Sequence, residues 1–145
     1  MVTTFANAGF HVPVLQVEFH ADDEACKGNW GLHVKTTDGL STIHVCYTHE
    51  RSLPQQIGRQ VTLLHEVAHV WVDQNVTAEQ LDAFMELRRL AEWDGDAAAW
   101  ADLGAEQAAE ILLWGLTDDA HSINAQIDDS DEAELAAAYG ILTTS

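Results

Sequence analysis

Basic side chains are scarce in this chain. Six lysines and arginines stand against 24 aspartates and glutamates, a formal charge of −18 with the 8 histidines neutral. A field of that sign repels phosphate backbones and anionic headgroups, so neither nucleic acid nor a membrane surface is an expected partner. It leaves metal cations, cationic peptides and basic proteins, and it equally suits plain solubility or a salty cytoplasm.

Long apolar runs are missing as well. No stretch of about 18 apolar residues is present, so no membrane-spanning helix is expected. Met1 to Phe10 carries neither a basic segment nor an apolar run, so no secretory leader is read there and a cytoplasmic protein is expected. Cysteine is limited to Cys26 and Cys46. A chain of 145 residues that is 47% hydrophobic has enough core without a bridge, and free buried thiols are the expectation. Neither cysteine belongs to a Cys-x-x-Cys pair, which argues against a Cys2His2 structural zinc site.

What is present divides into two halves. Leu15, Val17 and Phe19 alternate with polar residues, as do 32–36 and 41–48, where Ile43, Val45 and Tyr47 share one face. That period of two predicts three strands. Thr37-Asp38-Gly39 reads as a hairpin turn. From residue 53 onward the period changes to that of helices. Ser52 to Gln55 has the form of a capping box before a helix of about 53–74, and Thr77 to Gln80 repeats it before a second. A loop follows over 93–102, then helices at about 104–114 and 129–139, with 117–128 ambiguous. Strands first and helices afterwards predict an α+β fold, an antiparallel or mixed sheet against a helical layer, in one domain spanning 1–145. Trp71, Trp93, Trp100 and Trp114 read as core. His11, His20, His33 and His44 fall in strand-like segments, with no metal spacing among them.

The informative stretch is His65-Glu66-Val67-Ala68-His69. Residues four apart share a helix face, so both imidazoles reach one ion without bending the backbone. Neutral imidazole is a good zinc ligand, and the carboxylate of Glu66, one residue on, stands beside the metal as a general base. No charge other than Glu66 falls between Val61 and Val72. Burying two histidines and a glutamate there is costly without a metal or partners. The arrangement suits hydrolysis of an amide or ester.

Thr62 to Trp71 resembles the extended motif of the zincin metallopeptidases. The resemblance implies an active-site helix packed below a mixed sheet, an edge strand that binds the substrate backbone (expected at 41–48), and zinc as cofactor. The metzincin continuation is missing, since Val72 and Asn75 stand where Gly and His would be required. The gluzincin pattern, with a glutamate from a later helix, is the nearer one. Glu106-Gln107-Ala108-Ala109-Glu110, which begins 41 residues after His65, resembles the Glu-x-x-Ala-Glu element of short gluzincins. Carried over, Glu106 becomes the third ligand, Ala109 permits close helix approach, and Glu110 accepts a hydrogen bond from a ligand imidazole. The stretch from Gly39 to Leu116 is also similar to small actinobacterial and phage zincin-like proteins of unknown substrate.

The resemblance does not supply the oxyanion donor. His121 lies where thermolysin-like enzymes place a histidine, and Tyr139, Tyr47, His49 and Arg51 are the other donors available. The expected function is a zinc peptidase acting on a peptide or protein. The alternatives are a non-catalytic metal-binding module that holds a protein partner, and a scaffold in which zinc is purely structural.

Overall fold

Period-two patterning becomes a sheet of three strands, which the computed structural model of the protein places at β1 (Leu15–His20), β2 (Gly31–Lys35) and β3 (Ser41–Cys46). The structure describes residues 2–11, 14–22, 24–36, 40–47, 53–95, 98–117 and 131–144, and for 2–4, 53–57 and 59 the backbone alone. The expected turn at Thr37 to Gly39 and the capping box at Ser52 to Gln55 lie outside the described residues.

The strand order is β1-β3-β2. β1 runs parallel to β3, with Glu18 opposite His44 and His20 opposite Cys46. β2 runs antiparallel to β3, with Gly31 opposite Val45. Of the two expected arrangements the sheet is therefore the mixed one. β3 is the central strand, where an edge had been expected at 41–48. Five of its six residues are buried, and both sides of its backbone are already paired, so it has none left for a substrate. The outer strands are β1 and β2.

Cys26 and Cys46 form a disulfide, which corrects the expectation of free thiols. The argument from core size fails locally. The segment between β1 and β2 has almost nothing apolar to bury, and its Trp30 is 76% exposed. The bridge ties this polar loop, through the fully buried Cys26, to the end of β3. Such bonds persist in oxidising compartments and are rare in a reducing cytosol. Among the described residues, no helix is long and apolar enough to cross a membrane.

The chain divides into two compact units, Met1–Val70 and Trp71–Ser145. The first holds the sheet, a short helix α1 (Val2–Asn7) and most of α2 (Leu53–Asn75). α1 leaves no periodic mark in the sequence, because six residues are too few to show one; its Phe5 is fully buried. On α2, Leu63, Val67 and Val70 form one face at helical spacing. They pack with Ile43 and Val45 of β3 and Leu15 and Val17 of β1. Complete burial of a side chain such as Ile43 contributes roughly 1.5–3 kcal/mol, and this cluster holds the helix to the sheet.

The second unit contains α3 (Ala78–Arg88), a 3-10 turn (Trp100–Asp102), α4 (Gly104–Thr117) and α5 (Glu132–Thr143). The capping box at Thr77 and Gln80 is present. The Gln80 amide also donates to the carbonyls of Ile141 and Thr144, each at 2.8 Å, so it joins the start of α3 to the end of α5. Asp131 caps α5 by accepting from the Glu134 amide. Three helices meet at Arg88. Its guanidinium donates to Gln107 Oε1 of α4 and to Glu134 Oε1 of α5, both at 2.7 Å, and its side chain is only 6% exposed. Charge-assisted bonds of this kind each contribute about 1.5–3 kcal/mol. Glu134 is partly exposed and its bond is weakened by solvent screening, so Arg88→Ala should lower the unfolding free energy by about 2–3 kcal/mol in urea titration, less than two full bonds. Arg88→Lys should restore only part of it, because an ammonium cannot reproduce the planar fork.

Candidate metal centre

His65 and His69 stand one turn apart on α2, and their side chains meet. The two Nε2 atoms are 3.0 Å apart, with the rings edge to face at 84°. Two ligands bound tetrahedrally to one zinc at roughly 2.0–2.1 Å lie about 3.3 Å from each other. The imidazoles are thus close to chelating separation. His65 and Glu66 are both buried, at 8% and 7% exposure.

Glu66 turns toward the sheet. Its carboxylate and Cγ lie against Gly31 at the start of β2, where a Cβ would run into Glu66 Oε1 and come within 2.7 Å of the Thr62 methyl. Gly31 thus leaves room for the acid where any other residue would crowd it. The edge strand next to Glu66 is accordingly β2.

Glu106 lies in the first turn of α4, where the helix dipole favours a carboxylate. The start of that helix is fixed by backbone bonds from Gly104 to the Glu92 carbonyl (2.9 Å) and from Ala105 to that of Trp93 (2.8 Å). Gly104 is buried beneath Met85 and Trp93, with no space for a side chain. His65 and His69 lie in the first unit and Glu106 in the second. Two neutral imidazoles and a carboxylate are the donor types zinc prefers, so these residues fit such an ion chemically.

The other expected residues fall as follows. Glu110 is buried one turn beyond Glu106, at 5% exposure. His121, His49 and Arg51 lie outside the described residues. Tyr139 sits on α5 with its ring against Gly115 of α4, about 13 Å of helix rise beyond Glu106. Burial pushes its phenol above the usual value. Trp71 is buried, and Trp93 meets Phe84 edge to face at 6.4 Å, in keeping with roles in packing.

Sequence reasoning missed one group. Glu18, His20 and His44 also offer three ligand atoms within 4.8 Å of one another. Glu18 and His20 carried a faint signal, since two residues apart on a strand means one face. The register that brings His44 opposite Glu18 is a property of the pairing and leaves no mark in the sequence. Comparison of the chain with family models, with curated proteins and with solved structures gives no match in any of the three.

Proposed function

We propose that this chain is a zinc-dependent peptidase of the zincin type, with His65, His69 and Glu106 as the metal ligands and Glu66 as the general base. The observation that carries the reading is the meeting of the His65 and His69 Nε2 atoms at 3.0 Å on one face of α2 with a buried carboxylate one residue after the first histidine. A divalent ion held there polarises a carbonyl and lowers the pKa of water toward about 7. Glu66 takes the proton from the attacking water and returns it to the departing amine. Its burial keeps bulk water from competing for that proton. β2, which is paired on one side by β3 and lies against Glu66 at Gly31, is the strand on which an extended peptide would be laid by main-chain pairing. Glu110 would orient a ligand imidazole.

Metal content and cleavage together test this reading. Substituting both His65 and His69 by glutamine should remove one equivalent of zinc. Glu106→Ala should weaken binding at that site by at least about 100-fold. A zinc-loaded digest of mixed peptides should give new termini that vanish with chelator. Zinc content unchanged by the double substitution would defeat the proposal. If zinc is bound there and no new termini form, the chain is instead a metal-bearing module that binds a protein partner.

A further inference from the structure

The outer face of the sheet carries the second histidine and carboxylate group, and it lies within the first unit alone. We propose that Glu18, His20 and His44 form an independent site for a divalent transition-metal ion of the zinc class. The inference does not depend on the reading of His65, His69 and Glu106.

Backbone pairing assembles the group. Glu18 and His20 are two apart on β1, and His44 is the register partner of Glu18 on the parallel strand β3, so all three project from one face. His20 Nε2 lies 2.9 Å from His44 Nδ1. Glu18 Oε2 lies 3.7 Å from the first and 3.5 Å from the second. A triangle with those sides has a circumscribed radius of about 2.0 Å, equal to the Zn–N and Zn–O bond lengths of roughly 2.0–2.2 Å. An ion in or just above the plane of the three atoms therefore reaches all of them with no rearrangement.

Hydrogen bonding accounts for the arrangement less well. One proton between the two ring nitrogens satisfies that pair. It leaves Glu18 Oε2 outside the 2.7–3.2 Å range of an N–H···O bond from either ring, although it points at the same centre. Three donor atoms facing one point is an arrangement that a cation relieves. Gln16 holds the carboxylate in place by donating from Nε2 to Glu18 Oε1 at 2.7 Å, so Oε2 alone faces the histidines. Outer partners of this sort fix ligand orientation. The side chains of His20, Glu18 and His44 retain 28%, 40% and 20% of their exposure, which gives an ion entry from solvent and leaves its remaining coordination to water. The charge of −18 favours cation capture by the chain as a whole.

Zinc titration of the full-length, metal-stripped chain tests the site. Substitution of both His20 and His44 by glutamine should lower the bound zinc by one equivalent, and the equivalent lost on substituting His65 and His69 should be a different one. Gln16→Ala should weaken the outer site about 10-fold. Nitrogen-15 spectra of the wild-type imidazoles need no substitution, and so decide the matter even if the double variant does not fold. On zinc addition, His20 should change at Nε2 and His44 at Nδ1, whereas His65 and His69 respond at Nε2. Zinc stoichiometry and affinity unaltered in the folded double variant, or His20 and His44 signals unmoved at saturating zinc, would overturn the proposal.

Discussion

Glu66→Gln is expected to lower peptide cleavage by about 10²–10⁴-fold, the usual share of general acid–base catalysis, while zinc content stays at the wild-type level. Glutamine keeps the shape and burial of the side chain but has no basic oxygen to accept a proton. The loss corresponds to about 2.7–5.4 kcal/mol of barrier. Retention of zinc separates this effect from damage to His65 and His69, which the neighbouring position otherwise invites. The substitution is also conservative toward its surroundings, because the side chain lies against Gly31 and an isosteric amide leaves that contact in place. Cleavage kinetics on a peptide library, with zinc measured on the same samples, would show the effect. Undiminished turnover by the zinc-loaded variant would remove Glu66 from the mechanism.

Loss of the disulfide should have the largest effect on stability. Cys26 and Cys46 are 20 residues apart, and the entropy of closing a loop of that length in the unfolded chain corresponds to about 3 kcal/mol. The native state loses an anchor too, since Cys26 is fully buried within an otherwise polar segment. Reduction, or replacement of both cysteines by serine, should lower the melting temperature by about 6–12 °C at this chain length. Far-ultraviolet circular dichroism, followed through thermal melts with and without reductant, measures the shift. An unchanged midpoint would mean that the loop is held by something other than the bridge.

Several features were legible in the residues because their causes are local. The capping box of Thr77 and Gln80 involves atoms three positions apart, so the start of α3 is written in four letters. The helical face of Leu63, Val67 and Val70, and the one-turn spacing of His65 and His69, follow from 3.6 residues per turn wherever a helix forms. The character of α2 and α4 as helices, and of the three strands as strands, could therefore be read directly, as could the donor chemistry of the His-Glu-x-x-His stretch.

Tertiary structure decided whatever depends on which segments meet. Period-two patterning gives each strand its faces but says nothing of order or direction. The central place of β3, the parallel pairing with β1 and the position of Gly31 against Glu66 appear only once the sheet is assembled. The same pairing joins His44 to His20, 24 positions away, and to Glu18 two residues further off, and brings Cys46 to the loop that holds Cys26. Hydrogen-bond register between distant segments is set by the sum of side-chain packing across the sheet, and no short motif encodes it.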